Sequence, residues 1–322
     1  MADKLLLSVS PHIHSGVTSR KLMRMVYLSL LPAIAVSGAV FGMKAVFLHL
    51  ITIFSCVVFE SLFNRITGRP DSISDGSAVL TGTLLAMSLP VSVPLWIAVT
   101  GSFVSIVIAK MVFGGLGGNP FNPALVGRIF LLISFPVQMT AFAAPSIDAM
   151  SGATVLGAAK TYIQSNDGSI DGFQIPELWN LFTGFTTGSL GETSVIAILA
   201  GGIFLMCMRI ISWHIPVTFI GTVFLLTFGH IMAHPGTILP PLVHLMSGGL
   251  MLGAFYMATD YVTSPLYTKG KLIFGAGCGV ITVVIRLYGG YPEGVAFAIL
   301  IMNAVTPLLD RYLRPKAYGE GR

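Results

Sequence analysis

Long apolar runs alternate with short polar breaks along this chain, at about 25–42, 45–63, 76–90, 93–113, 123–143, 193–210, 214–233, 246–260, 272–288 and 294–309. Several reach the roughly 18–20 residues that a helix needs to cross the hydrocarbon core. They predict an all-α polytopic membrane protein with about ten transmembrane segments. The third run, "GSAVLTGTLLAMSLP", and the eighth, "MSGGLMLGAFYMATD", are short and glycine-rich, and each leads into a proline-containing stretch. Such segments are expected to be broken or partly penetrating, because non-helical backbone survives at membrane depth only when protein or a cavity covers it.

The breaks divide the chain into an N-terminal segment 1–24, five segments over 25–143, a polar interval 144–192, five segments over 193–309 and a tail 310–322. The short glycine-rich run is third in each set of five. Each is followed by a Lys-x-x-Phe-Gly sequence, at Lys110–Gly114 and Lys271–Gly275. An odd number of segments per copy would invert the second relative to the first, giving two inverted five-helix repeats.

Composition agrees with a membrane location: 54% of residues are hydrophobic and 10% charged, against about a quarter charged in soluble domains. The net charge of +5 is better explained by placement than by nucleic acid. With the N-terminus inside, Lys4, Arg20, Lys21, Arg24, Arg65, Arg69, Lys110, Arg209, Lys269, Lys271 and the basic tail all fall on the inner side. The outer side receives only Lys44, Lys160 and Arg286, so both termini are expected in the cytoplasm. The interval 144–192, with Asp148, Asp167, Asp171, Glu177 and Glu192, is then outside. No cleavable signal peptide is expected in the first twenty residues. Cys56, Cys207 and Cys278 lie far apart in apolar segments and read as packing residues.

Four features carry candidate chemistry. "FGGLGGNPFNPALVGR" (Phe113–Arg128) lacks the Lys-Ser/Thr of a phosphate loop. It fits a tight turn with Pro123 opening the next helix, and equally a site where Asn119 and Asn122 pair with the edge of a heterocycle. Glu60, Arg128 and Asp260 are charges in or near apolar segments, and such charges default to function; Glu60 and Asp260 sit close enough to segment ends to reach interfacial water, and Arg128 with Asp260 is a candidate structural pair. His230 and His234 have i, i+4 spacing but no acidic companion, which favours ordinary hydrogen bonding and no metal. In "DAMSGATVLG", small neighbours leave the Thr154 hydroxyl accessible, although on the residues alone a surface turn is the better account of so common a tetrapeptide.

These blocks together resemble one family, which holds the D subunits of Rnf electron-transport complexes and the B subunits of sodium-translocating NADH:quinone reductases. The resemblance runs from "SPHI" through "DGSAVLTGTLLAMSLP", "GGLGGNPFNPALVGR", "DAMSGAT", "GSLGETS" and "HLMSGGLMLGAFYMATDYVTSP" to "RLYGGYPEGVAFAILIMNAVTPLLDR". The chain has no long extension before "SPHI", which favours the Rnf type. The resemblance implies a urea-transporter-like body of two inverted five-helix repeats. It also implies that Asp148, Ser151, Gly152, Ala153 and Thr154 form a flavinylation motif. FMN would be joined to Thr154 as a phosphoester by a flavin transferase acting outside, and riboflavin would bind noncovalently near Asn119 and Asn122.

The implied function is that of a plasma-membrane component of a ferredoxin:NAD oxidoreductase, relaying electrons coupled to Na+ or H+ translocation. It is not a complete enzyme alone. Its partners would be the other Rnf subunits (A, B, C, E and G), with no nucleic acid. Glu60, Asp260 and Asp310 are the candidates for ion coupling, and no metal ligands are expected. The alternatives are a flavin-free channel or solute transporter of the same fold, since fold does not fix function, and a structural scaffold.

Overall fold

The computed structural model describes residues 18–143, 151–166 and 169–315. Helix α1 (Ser19–Phe41) starts where the Thr18 hydroxyl accepts the Lys21 N–H. Helix α2 (Met43–Thr67) ends on Gly68, whose left-handed φ of 66° lets the chain turn back. Helix α3 (Ser77–Met87) is short, and α4 (Leu95–Met111) winds into a π-helix over Val104–Met111. Helix α5 (Pro123–Ser134) is opened by Pro123 and capped by the Asn122 side chain. The expected fifth segment, 123–143, is shorter than its hydropathy suggests. Pro136 pushes Phe135 out of the helical region (φ −132°, ψ 57°), leaving a short α6 (Pro136–Thr140) and strand β1 (Phe142–Ala143).

Strand β1 pairs antiparallel with β2 (Ser151–Gly152), and α7 (Val155–Ser165) and α8 (Leu178–Thr183) follow. The second set comprises α9 (Val195–Cys207), α10 (His214–Ala233), α11 (Pro241–Met246), α12 (Leu250–Leu252), α13 (Thr268–Tyr288) and α14 (Val295–Tyr312). The eighth segment is broken as its composition predicts. Gly248 and Gly249 take left-handed conformations between α11 and α12, and α12 runs on as a π turn, Gly253–Met257.

Five helices (α1, α2, α10, α13 and α14) are long and apolar enough to span a membrane, and α3, α4, α5 and α9 are shorter apolar helices. The protein is therefore an all-α polytopic membrane protein, and among the described residues its one sheet is the two-residue β1–β2 pair. Outward side chains such as Phe47, Leu50 and Phe54 on α2 and Leu225, Phe228 and Met232 on α10 are exposed apolar groups, as a lipid-facing surface requires. Helices meet through small residues. A Cβ at Gly82 of α3 would stand 2.8 Å from the Ile53 Cα of α2, and Gly275 and Gly279 of α13 lie against Ile215, Thr218 and Phe219 of α10.

Within the first set α2 packs on α3 and α4; within the second, α10 packs on α11 and α13. The Lys-x-x-Phe-Gly match does not follow this correspondence. Lys110 lies at the end of α4, whereas Lys271 lies near the start of α13, so the two copies occupy different places. Cys56 and Cys278 are packed inside, but Cys207 at the end of α9 is exposed on the outer surface of the bundle.

Candidate functional site

Where α1, α3 and α5 begin and α4 and α9 end, the helices surround a partly open cavity. Its apolar walls come from Val26, Leu80, Leu84, Leu205 and Phe255, with Ser77, Thr81, Lys110, Asn119, Asn122 and Asp260 supplying polar atoms. The mix of apolar walls and few polar atoms suits a small aromatic ligand. Both π-helical stretches contribute, α4 through Lys110 and α12 through Phe255 and Tyr256; such local widenings are frequent at functional sites. Lys110 is 2% exposed and its Nζ donates to Glu60 Oε2 and to Ser77 Oγ, each at 2.6 Å. Glu60, 0% exposed, also accepts from Ser72 Oγ at 2.5 Å. Glu60 therefore does not reach interfacial water; it is half of a buried ion pair supported by Ser72 and Ser77.

The two asparagines divide their work. Asn122 Oδ1 accepts the Ala124 and Leu125 N–H groups, and its Nδ2 donates to the Met257 carbonyl, so its amide ties α5 to the π turn of α12. Among the described residues Asn119 engages only its Nδ2, with the Phe121 carbonyl at 3.0 Å. Asp260 lines the same cavity and accepts from Thr263 Oγ1 at 3.2 Å, with no cation partner among the described residues. Arg128 does not pair with it. The Arg128 guanidinium bonds Glu293 instead, joining α5 to the chain just before α14. Asp310 is not a wall of the cavity; its Oδ1 accepts the Leu266 N–H at 2.9 Å.

At the opposite end, Thr154 is the N-cap of α7: its Oγ1 accepts the Gly157 N–H at 3.2 Å. The side chain is 2% exposed, so the expected accessible hydroxyl is shielded once α7 is seated. The seat is apolar, formed with Val155, Leu156, Ala159, Leu181, Leu239 and Val243. It is reinforced by the Lys160 ammonium, which donates to the carbonyls of Arg286, Gly289 and Tyr291 at the end of α13. Burial pushes the Lys160 pKa down from its ordinary value. Gly152 and Ala153 precede the cap, whereas Asp148 and the side chain of Ser151 lie outside the described residues.

Residues 6–319 of the chain match the NQR2, RnfD, RnfE family. The chain belongs to that family. It is 45% identical to the D subunit of the Na(+)-translocating ferredoxin:NAD(+) oxidoreductase complex of Acetobacterium woodii, over 98% of this chain and 95% of that one. It is 43% identical to the D subunit of the proton-translocating ferredoxin:NAD(+) oxidoreductase complex of Clostridium ljungdahlii, over 98% and 96%. The D subunit of an ion-translocating oxidoreductase complex from Stutzerimonas stutzeri is 44% identical over 93% and 92%.

The residues matched by the family include those lining the cavity and Thr154. Sequence reasoning misses the partners in its pairs. Lys110 registers there only as a topology signal, although a lysine inside an apolar run is itself a warning that tertiary structure must compensate its charge. Glu293 and the buried Arg286 and His244 give no local signal. His230 and His234 have ring centroids 5.3 Å apart, and among the described residues no three His, Cys, Asp or Glu side chains cluster as metal ligands.

Proposed function

We propose that this family member is a membrane subunit of an Rnf-type ferredoxin:NAD oxidoreductase, carrying FMN on Thr154 and relaying electrons in step with Na+ or H+ translocation. Its place is the plasma membrane, with both termini in the cytoplasm, α7 outside and the other Rnf subunits as partners. The observation that carries the reading is the position of Thr154 at the N-terminus of α7. A phosphoester there sits where unpaired backbone N–H groups and the positive end of the helix favour an anion.

The attachment replaces the hydroxyl proton by phosphorus, as the flavin transferase breaks the FAD pyrophosphate and AMP leaves. Because the seated hydroxyl is shielded, transfer takes place before α7 docks or while it is lifted. When bound, the flavin supplies the electron-carrying chemistry, and the protein supplies orientation, electrostatics and exclusion of water. The cavity near Asn119 offers riboflavin a mix of apolar walls and few polar atoms, with Asn119 Oδ1, which has no partner among the described residues, as a hydrogen-bond acceptor and Asn122 holding the wall in place. Asp260, which lines the cavity and has no cation partner among the described residues, is a better candidate for ion coupling than Glu60, which is bonded to Lys110, or Asp310, which is not a cavity wall.

Mass spectrometry of the peptide containing Thr154, from cells that make the flavin transferase, tests the reading. The expected mass includes one FMN less water, and Thr154→Ala abolishes it. An unmodified parent peptide would refute the tether and favour the flavin-free channel.

A further inference from the structure

Four charged side chains converge where the two sets of helices join: Arg128 of α5, Glu192 in the 3₁₀ turn before α9, Arg286 of α13 and Glu293 just before α14. Their bonding is unequal. Arg128 is committed to Glu293. Arg286 gives Nη1 to the His244 carbonyl at 2.6 Å and Nη2 to the Ser247 carbonyl at 2.9 Å. Glu192, 8% exposed, has no cation within ion-pair distance among the described residues, and its Oε1 accepts the Ser189 hydroxyl at 2.8 Å. The second Glu293 oxygen, Oε1, is also buried and has no donor among the described residues. Glu293 lines a cavity with Arg128, Gly248 and Gly249. Glu192 is not a wall of that cavity but lies behind Gly249, where a Cβ would stand 3.7 Å from Glu192 Oε1. Arg128 and Glu293 keep 12% and 15% of their side chains exposed, which gives the cluster an outlet to water.

A buried carboxylate whose bonded partner is a neutral hydroxyl is costly in its ionised form, and such groups take up a proton instead. We propose that Glu192 is a proton-binding site, holding a proton at neutral pH and exchanging it with water past the Arg128–Glu293 pair. The site is independent of the flavin proposed at Thr154. The exchange is a proton transfer alone. Oε1 is engaged by Ser189, so Oε2 carries the proton; its O–H bond breaks, the proton passes to water at the exposed edge of Glu293, and no electrons move. Burial and the negative charge of Glu293 push the Glu192 pKa up, against the opposing pull of Arg128, Ser189 and Arg286. Of the elements packed on the turn Leu190–Glu192, α3 and α12 bring no titratable side chain and α1 none beyond Tyr27. Glu293, Arg128 and Arg286 are therefore the charged groups that face it. No third carboxylate or imidazole joins the pair as a metal ligand among the described residues, and the guanidinium on Glu293 repels a metal ion, so the site suits a proton. Once ionised, Glu192 becomes a second anion competing for Arg128. Proton release thereby weakens the link between α5 and the chain before α14, which ties it to the contact between the two sets of helices.

The test uses the full chain in mixed micelles, as parent, Glu192→Gln, Glu293→Gln and Ser189→Ala. Infrared pH-difference spectroscopy follows the C=O stretch of protonated carboxyl groups. The parent is expected to show a carboxyl protonated at neutral pH that ionises reversibly as pH rises, and Glu192→Gln is expected to lose that band. Glu293→Gln removes the neighbouring anion and releases Arg128, so the transition should move to lower pH, with proton affinity falling about tenfold. Ser189→Ala removes a hydrogen bond to the anion, so the transition should move to higher pH, with proton affinity rising about fivefold. These opposite shifts carry the test even where Glu192→Gln does not fold. A band that survives unchanged in Glu192→Gln overturns the proposal, as does a transition that neither neighbouring substitution moves. A band abolished at constant pH when Na+ replaces choline assigns the site to a metal ion and overturns it as well.

Discussion

The buried pair Lys110–Glu60 makes a quantitative prediction. Both side chains are nearly inaccessible (2% and 0% exposed), bonded to each other at 2.6 Å, and supported by Ser77 on one side and Ser72 on the other. Removing one partner strands the other charge in a low-dielectric interior. Lys110→Met and Glu60→Met are each expected to cost about 3–5 kcal/mol, whereas the double variant is expected to be near neutral. Unfolding titrations in mixed micelles measure all four corners of the cycle. Independent sites would add within about 0.3–0.5 kcal/mol, so strong non-additivity is the signature of the pair. The reasoning is refuted if either single variant unfolds like the parent, or if the double variant is as unstable as the sum of the singles. The same cycle separates structure from transport: if Glu60 serves only the pair, the double variant keeps ion-coupled activity in the assembled complex.

Three further outcomes are expected. Gly82→Leu should destabilise by about 1–3 kcal/mol through overpacking, since even a Cβ at Gly82 would meet the Ile53 backbone; micelle unfolding checks it, and Gly221→Leu, in open space on α10, is the control. Asn122→Ala removes the α5 cap and the bond to Met257 and should cost at least the ~1 kcal/mol of a typical cap, with riboflavin retention falling alongside when scored by flavin extraction. Thr154→Ser keeps an acceptor for Gly157 and should retain covalent flavin, seen as fluorescence on a denaturing gel, if the transferase needs only the hydroxyl.

Much of the architecture is legible because both lipid-facing and inward-facing positions in a spanning helix are apolar, so the runs register whichever way a side chain points. Helix starts are visible where a cap and a proline coincide, as at Asn122–Pro123. Beyond Ser134 the apolar composition outlasts the helix, because Pro136 breaks the backbone without changing the hydropathy. Pairings are not legible. Glu60 and Lys110 are 50 residues apart, and Arg128 and Glu293 are separated by 165; only the packing of helices distant in sequence joins them. Accessibility is likewise hidden: small neighbours make the Thr154 hydroxyl look open in the sequence, but in the fold it is 2% exposed, at the start of a helix that packs on Leu181, Leu239 and Val243.

The distribution of unmet polar groups bears on where ligands act. A buried donor or acceptor without a partner costs about 1–3 kcal/mol, and α11, α13 and the residues around them hold several together. Arg286 Nε, both His244 nitrogens, Ser247 Oγ and Glu293 Oε1 are all unpartnered among the described residues, while the Lys110–Glu60 pair deeper in the first set of helices is closed. A fold that satisfies Glu60 with two donors has the means to satisfy these groups too. Their concentration next to the helix whose N-terminus is capped by Thr154 is what a binding site awaiting a ligand with both donor and acceptor atoms requires, whereas a purely structural scaffold would gain stability by closing them.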